Sequence, residues 1–385
     1  MAKKHWNSAL QSAPCRAAVR YSQGFRLKPE NKGSVLIIVL WTAALITVLV
    51  TAMASKVRLS AQTAVHNQES SQQWAEVQGA LNAAEMELML ERMPQPIDQQ
   101  FEETEEGEQL IPAYRFDGDP LELYYEHSDD VRVRIYDHAG KINLNRIPRR
   151  NMQMIIEKRL GGVEEADPQV VQDLLSAWTD WTDLNDLEGL NGAERDYYES
   201  LEQPYVPRNN PELDTVEEIL HIKGFAELFE DVNLDAAFTV YGNTRTVNLN
   251  VATREAMEML PGLNEELIEN ILAYRQYEDI NNRAEIGEIV PFENLQELSA
   301  WVGNQTSTIY SLYVYPHRDL DDETYERLLE EHEFVNPDPV TQAYSQIIEV
   351  RGYNQLPTVY KVDPYGELPD TAPPRVLEED YLFQF

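Results

Sequence analysis

The chain has 385 residues and a formal net charge of −36. Its first 33 residues hold seven basic side chains and one acid, while 24 basic and 66 acidic residues follow Gly33. A surface that acidic repels nucleic acid and anionic lipid headgroups. It favours cations, although solubility or adaptation to a salty medium also explains the charge. The single cysteine, Cys15, excludes a disulfide framework within one chain.

An uncharged apolar run of 21 residues from Ser34 to Ala54 is the first predicted element. At about 1.5 Å per residue, a helix of this length crosses a hydrocarbon core roughly 30 Å thick. The basic residues before it predict a cytoplasmic N-terminus and an acidic bulk on the other side of the membrane. A cleaved secretory signal fits less well, because its apolar region is only about 7–15 residues long.

The same helix is predicted to continue to about Glu91, because only Gly79 and no proline interrupts the sequence up to that point. Beyond the apolar run, one helical face is marked by apolar residues at spacings of three and four: Trp74, Val77, Leu81, Ala84 and Leu88. Met93 and Pro94 then end the helix. An ordinary membrane anchor with a helical stalk has the same pattern.

Lys32 and Gly33, followed at once by the apolar run, resemble the prepilin-peptidase site of type IV pilins and pseudopilins. The resemblance implies cleavage between Gly33 and Ser34, which removes residues 1–33. Ser34 is an unusual first mature residue, and the leader is long for the family. Most members carry a glutamate at the fifth mature position, where this chain has Ile38. That absence, together with the segment KGSVLIIVLW, resembles the K-type minor pseudopilin of type II secretion systems.

The rest of the chain is predicted to be an α+β domain interrupted by a large helical insertion. Alternating apolar and charged residues predict a half-exposed strand from Val131 to Tyr136, and further strands are expected at 307–315, 346–352 and 359–362. Residues 102–108 indicate a solvated acidic linker. The predicted boundaries are 34–54 and 55–92 for the two parts of the helix, 110–145 with 305–362 for the α/β domain, 146–304 for the insertion, and 363–385 for a poorly ordered acidic tail.

The insertion contains an internal repeat. The segment INLN from Ile142 recurs as VNLN from Val247, and at the same offset Arg149, Met152 and Met154 match Arg254, Met257 and Met259. An asparagine that caps the following helix would explain each NLN segment. The repeat resembles the two SAM-like helical subdomains that the K family inserts into its pilin-like fold, here about 146–240 and 247–304.

An acidic segment from Trp178 to Tyr198 is the candidate metal site. It crowds oxygen ligands together, and Ca²⁺ binds 6–8 oxygen atoms at about 2.3–2.6 Å. Its spacing does not fit an EF-hand, and a solvated acidic loop is the alternative. The pattern DWxDxxD followed by GAExxYY resembles the calcium-binding region of the K family. The resemblance implies calcium ligands at Asp180, Asp183, Asp186 and Glu194, with Asn185 and Asp196 behind them. Asp180 is alternatively an ordinary cap at a helix end.

Leu260-Pro261-Gly262-Leu263 and the amphipathic helix after it resemble a helix-hairpin-helix, a motif that often binds DNA through backbone N–H groups. Between Arg254 and Arg275, however, two arginines face five glutamates, so we expect a packing role and no bound nucleic acid. Motifs for catalysis are missing: the sequence has no HExxH, no G-x-S-x-G and no P-loop. The chain is therefore not expected to be an enzyme.

The resemblance implies a single-pass protein of the bacterial inner membrane with its C-terminal domain in the periplasm. Prepilin peptidase would process and methylate it, and the I-type and J-type minor pseudopilins would join it in a tip complex on the major pseudopilin. Two alternatives are a single-pass DNA receptor with a helix-hairpin-helix domain and a calcium-dependent adhesion domain. The charge of the hairpin and Ile38 count against the first, and the cleavage motif at Gly33 counts against the second.

Overall fold

The computed structural model describes residues 32–93, 115–121, 131–207, 210–316 and 342–369. It divides the chain into two units, residues 1–69 and 70–385. Residues 1–31 of the predicted leader, the predicted linker 102–108 and residues 370–385 of the predicted tail lie outside the described residues.

Helix α1 (Lys32–Glu91) provides the described part of the first unit and continues into the second. The sequence predicts this continuity, since nothing between Gly33 and Glu91 breaks a helix except one glycine. In the first unit its apolar side chains are exposed; Ile38, for example, is 59% exposed. By length and composition, α1 can cross a membrane.

The second unit contains a five-stranded antiparallel sheet. Its spatial order is β1-β2-β5-β6-β7. The central strands β2 and β5 pair over seven residues, from Val131 opposite Pro316 to Asp137 opposite Tyr310. The strand bounds are Asp117–Pro120 for β1, Val131–Asp137 for β2, Ile309–Pro316 for β5, Gln342–Glu349 for β6 and Thr358–Glu367 for β7.

The C-terminal part of α1 packs on one face of this sheet. Ala80, Leu81, Ala84 and Leu88 are buried there with apolar residues of β2, β5 and β6. Spacings of three and four place these side chains on one stripe of the helix, which explains why α1 remains helical along the sheet. The predicted face from Val77 to Leu88 is confirmed, whereas Trp74 at its start is 52% exposed.

The prediction that β2 is half exposed is wrong. Its charged Arg134 is buried, and its side chain donates to the hydroxyl of Tyr315 at 2.9 Å. A second apolar cluster covers this face of the sheet: Tyr136, Tyr313, Tyr315, Ala343 and Leu368. Alternation in the sequence distinguishes the two faces of a strand, but it does not show whether the face with the charged residues is exposed. An arginine can be buried on that face when hydrogen-bonding partners are available.

The prediction of a tail that begins at Asp363 is also wrong. Strand β7 continues to Glu367, which pairs with Gln342, and Leu368 is 1% exposed. The backbone hydrogen bonds to β6 and the burial of Leu368 stabilise a segment whose proline and acidic residues resemble a linker. Pro364 is compatible with this strand because β7 lies at the edge of the sheet.

Between β2 and β5 the chain forms the helical insertion. A short strand, β3 (Ile142–Asn143), pairs in parallel with β4 (Phe238–Thr239). Two 3-10 helices, His138–Gly140 and Val216–His221, flank or interrupt the α-helices. The α-helices are α2 Arg149–Arg159, α3 Pro168–Trp181, α4 Arg195–Glu199, α5 Phe225–Leu228, α6 Leu234–Ala237, α7 Arg254–Met259, α8 Glu265–Arg275, α9 Arg283–Ile289 and α10 Phe292–Leu298.

The two copies of the repeat close in the same way. Ile142 pairs in parallel with Phe238, and its counterpart Val247 forms a parallel bridge with Val302. The buried side chains of both copies belong to one continuous apolar cluster, which extends from Ile142 to Trp301. The insertion therefore has a repeated architecture but a single core.

The asparagines of each NLN segment do not cap the following helix, so that prediction is wrong. Asn143 and Asn248 each accept a hydrogen bond from the backbone N–H two residues on. Asn145 accepts from the N–H of Leu213 and donates to the same residue's carbonyl, at 2.7 and 3.0 Å. Asn250 does the same with Ile280, at 2.8 and 3.0 Å. The asparagines thus tie remote loops to the start of each repeat.

Candidate metal site

The site begins on α3, whose sequence fixes one face to the core. Asp167 caps the helix by accepting from the N–H of Gln169, and Pro168 occupies the first turn, where its missing N–H has no cost. Val171, Leu175 and Trp178 recur at helical spacing and are buried. This arrangement places Asp180 in the last turn, where it is 4% exposed.

Asp180 organises the acidic loop, residues 182–194, that follows α3. One of its oxygens, Oδ2, accepts from the backbone N–H groups of Gly189 and Ala193, both at 3.0 Å. A Cβ on Gly192 would lie 1.9 Å from this oxygen, so the close approach requires a glycine. Asp180 is therefore no cap of its own helix: it holds the far end of the loop.

Local hydrogen bonds shape the rest of the loop. Asp183 accepts from the N–H of Asn185, and Asn185 accepts from the N–H of Leu187, each at 2.9 Å. Such side-chain bonds to a backbone two residues on are the usual turn-forming role of Asp and Asn. Asn191 adopts the left-handed conformation with a φ of 59°.

The loop brings three carboxylates together. One oxygen each from Asp180, Asp183 and Glu194 lies within 4.8 Å of the others. Glu194 occupies the N-cap position of α4 but makes no capping bond with its side chain. It is 5% exposed, and neither of its carboxylate oxygens has a hydrogen-bond partner. A buried carboxylate without a donor is costly unless a cation sits beside it.

Electrostatics show the same deficit of positive charge. Burial, followed by the neighbouring carboxylates of Asp180 and Asp183, raises the pKa of Glu194 to about 7. Burial also raises the pKa of Asp180, against the two backbone N–H groups that lower it. Like charges at this distance disfavour joint ionisation, whereas a divalent cation would favour it.

Three of the six predicted ligands are therefore gathered and three are not part of this group. Asn185 is exposed and its side-chain oxygen serves the turn at Leu187. Asp186 is exposed and lies 4.0 Å from the guanidinium of Arg195. Asp196 is exposed in the first turn of α4. The predicted cleavage residues Gly33 and Ser34 belong to α1, as does Ile38.

Sequence reasoning missed the residues that shape the site without being ligands. Lys223 donates from its ammonium to the carbonyls of Asn191 and Gly192, at 3.2 and 2.9 Å, and lies over the ring of Tyr197. Gly192 is required by its contact with Asp180. The glycine within the GAE pattern was a visible signal, whereas nothing in the sequence links Lys223 to the loop.

The three carboxylates fit a hard cation. They offer up to six oxygens of the type that Ca²⁺ prefers, and the orphaned oxygens of buried Glu194 are the observation that a bound ion would account for. Backbone carbonyls or waters would complete the shell.

Comparison with known proteins assigns the surrounding domain. Residues 140–231 match the family of type II secretion system protein K, and residues 242–298 match the helix-hairpin-helix motif. No curated protein matches the chain. Among solved structures, a chain of the GspK-GspI-GspJ complex from the type 2 secretion system of enterotoxigenic Escherichia coli is similar at 13% identity and a TM-score of 0.45, over 78% of this chain and 98% of that one. The matched segment contains the whole acidic loop, and the predicted helix-hairpin-helix is confirmed. Residues 140–231 therefore form a domain of the type II secretion system protein K family.

Proposed function

We propose that this protein is a minor pseudopilin that caps the pseudopilus of a type II secretion system. One observation carries the proposal: the protein K domain is inserted between the two central strands of the sheet on which α1 packs. The insertion takes up residues 138–308 between β2 and β5. A mass of this size on every subunit would obstruct helical stacking, whereas at the end of a fibre it meets no neighbour.

The N-terminal helix supports the same position. In assembled pilins, a carboxylate at the fifth mature position neutralises the N-terminal amine of an adjacent subunit. An uncompensated charge in the bilayer costs about 2.5–3.5 kcal/mol or more at the centre of a helix. Ile38 offers no carboxylate, so this chain does not accept a subunit above it.

We further propose that prepilin peptidase removes residues 1–33 and methylates Ser34. The apolar part of α1 then anchors the protein in the inner membrane, with the acidic bulk in the periplasm. The function is structural, without catalysis. Its partners are the I-type and J-type minor pseudopilins and, below them, the major pseudopilin, as the GspK-GspI-GspJ assembly of the similar structure illustrates for that complex.

We propose that Ca²⁺ binds Asp180, Asp183 and Glu194 and fixes the acidic loop. The buried, unpartnered carboxylate of Glu194 supports this assignment over a merely solvated acidic loop. The role is structural, because a cation among three carboxylates removes their mutual repulsion and holds both ends of the loop.

The match to a helix-hairpin-helix motif favours one second candidate, a DNA receptor. The two arginines between positions 254 and 275 argue against it. Arg254 forms an ion pair with Glu269 at 2.7 Å, and Arg275 is buried against the carbonyls of Leu249 and Ala252. Neither guanidinium is presented to a phosphate.

The cap is tested by crosslinking from α1. Because Cys15 is the only cysteine and lies in the leader, the Ile38→Cys variant gives the mature chain a single reactive thiol. Crosslinks should capture I-type or J-type subunits, with a Val57→Cys variant, also exposed on α1, as the comparison position. A ladder of crosslinked copies of this chain along the fibre would refute the cap.

Processing is tested separately. The Gly33→Asp variant should retain its leader, whereas the Gly79→Ala variant, where a Cβ meets nothing within 4 Å, should be processed normally. Mass analysis of the mature wild type should place its N-terminus at Ser34. Assembled protein with an intact leader would contradict cleavage at this site.

A further inference from the structure

The hairpin of the second repeat exposes a pair of backbone carbonyls to the first repeat. Leu260 to Leu263 connect α7 to α8, with Gly262 in the left-handed conformation at a φ of 80°. A Cβ at Gly262 would lie 2.5 Å from the carbonyl oxygen of Asn294, and Asn294 donates from its side chain to the Gly262 carbonyl at 2.8 Å. The turn is therefore fixed from one side, while the carbonyls of Leu260 and Leu263 point to another.

Those two carbonyls bind a lysine from the other repeat. Lys158, in the last turn of α2, donates from its ammonium to the oxygen of Leu260 at 2.6 Å and to that of Leu263 at 2.8 Å. Leu260 follows the last residue of α7, so its carbonyl is at the negative end of that helix, where a cation is favoured.

The ammonium is charged at neutral pH. Burial lowers the pKa of Lys158 to about 8, while Glu258 and Glu297 act in the opposite direction. At pH 7 the side chain is therefore mostly protonated, and it offers three N–H donors to the hairpin.

We propose that the hairpin Leu260–Leu263 is a cation socket that binds the ammonium of Lys158, so that the helix-hairpin-helix couples the two helical repeats within one chain. The ligand class is a primary ammonium, supplied here by the protein itself. The motif thus serves as an internal docking element, and the face of the hairpin that carries these carbonyls is occupied by α2.

A simpler role would need no socket. The aliphatic stem of Lys158 could cover apolar surface between α2 and α7, as lysine stems commonly do. The two roles separate chemically, because the stem role requires only methylene groups and the socket role requires N–H donors that carry a charge.

The experiment uses the full-length protein in detergent and compares Lys158→Met, which keeps the stem, with Lys158→Ala, which opens the socket. Both variants should lower the Tm by about 2–6 °C, the shift expected for the loss of one or two charge-assisted bonds. Ethylammonium chloride should restore part of the loss in Lys158→Ala, relative to sodium chloride at equal concentration. Tetramethylammonium chloride, which has no N–H donor, should not.

The matched control is Arg159→Ala, the neighbouring cation on α2. Its guanidinium contacts Asp231 and the carbonyl of Leu228, away from the hairpin. Ethylammonium should leave the Tm of this variant unchanged.

Hydrogen exchange locates the effect. In Lys158→Met, the amides of residues 262–264 should exchange faster, while those of the acidic loop at Gly189 and Ala193 keep the wild-type rate. The proposal is overturned if Lys158→Met retains the wild-type Tm, or if ethylammonium and tetramethylammonium affect Lys158→Ala equally.

Discussion

Replacement of Glu194 by glutamine should have opposite effects on stability with and without calcium. In the absence of metal, the wild-type carboxylate is buried without a hydrogen-bond donor and faces Asp180 and Asp183. A glutamine has almost the same shape, carries no charge and can donate to these neighbours. The Glu194→Gln variant should therefore be more stable than the wild type in a chelator and less stable in calcium.

The raised pKa gives the magnitude. The pKa of Glu194 is about 7, against an ordinary value of 4.5. A shift of that size corresponds to about 3 kcal/mol. Part of this shift comes from the charges of the exposed Asp186 and Glu188, which solvent screens. We therefore expect the ionised Glu194 to destabilise the metal-free fold by about 2 kcal/mol. That free energy corresponds to a Tm difference of about 4–8 °C for a domain of this size.

The pH dependence has a defined sign. Because the folded pKa lies above the unfolded one, the folded protein binds the extra proton between about pH 4.5 and 7. The metal-free wild type should therefore lose about 2 kcal/mol as pH rises through this window, and Glu194→Gln should lose none of it. In calcium the wild type should regain stability toward pH 7, because the ion requires the carboxylate to be ionised.

Thermal unfolding of the full-length protein in detergent, with either EDTA or calcium at pH 5 and pH 8, provides the measurement. The matched control is Glu188→Gln, an exposed residue of the same loop outside the three-carboxylate group. Because solvent screens its charge, this variant should shift both curves much less than Glu194→Gln does. The reasoning fails if Glu194→Gln is less stable than the wild type in EDTA at pH 8, or if calcium stabilises both proteins equally.

Substitutions at three further positions test the acidic loop and the second repeat. Gly192→Ala should abolish the calcium-dependent rise in Tm, because the new methyl group would lie against Asp180, and calorimetric titration should show no binding. Lys223→Met should weaken calcium binding in the same titration while Lys223→Arg retains most of it, since the cation holds two carbonyls of the acidic loop. Asn250→Ala should cost about 2–3 kcal/mol in denaturant unfolding, because it leaves the buried N–H and carbonyl of Ile280 without their partner; a cost below 0.5 kcal/mol would contradict the role of the asparagine.

Local patterns predicted the elements whose periodicity reflects one buried face. The stripe from Val77 to Leu88 on α1 and the alternation from Val131 to Tyr136 both correspond to an element of the fold. Errors arose where tertiary contacts decide the outcome. Arg134 is charged and was expected to be exposed, but it is buried, and its hydrogen bond to Tyr315 makes that burial possible. The residues from Asp363 to Glu367 belong to a strand although their composition resembles a linker.

The sequence predicted the segment that holds the candidate site, but not which of its residues come together. Six candidate oxygen ligands stand out in the sequence, and of the five carboxylates among them Asp180, Asp183 and Glu194 form one group. The choice depends on which carboxylates are turned inward, and that depends on the two N–H bonds that fold the loop back onto Asp180. Because these bonds use backbone N–H groups, the residue types do not reveal them, except for the glycine that the close approach requires.

The two repeats differ in a way that explains why the candidate metal site lies in the first copy. In each copy, the chain after the second helix comes back to the NLN segment, where an asparagine forms hydrogen bonds with its backbone. The bonded residue is Leu213 in the first copy and Ile280 in the second. The return takes residues 182–212 in the first copy but only residues 276–279 in the second. A longer connection costs more conformational entropy to order. The cluster of Asp180, Asp183 and Glu194 joins the end of α3 to residue 194 and so constrains the first part of the longer connection. A cation bound there would offset the extra conformational entropy that ordering this connection costs, a cost that the short connection of the second copy does not have.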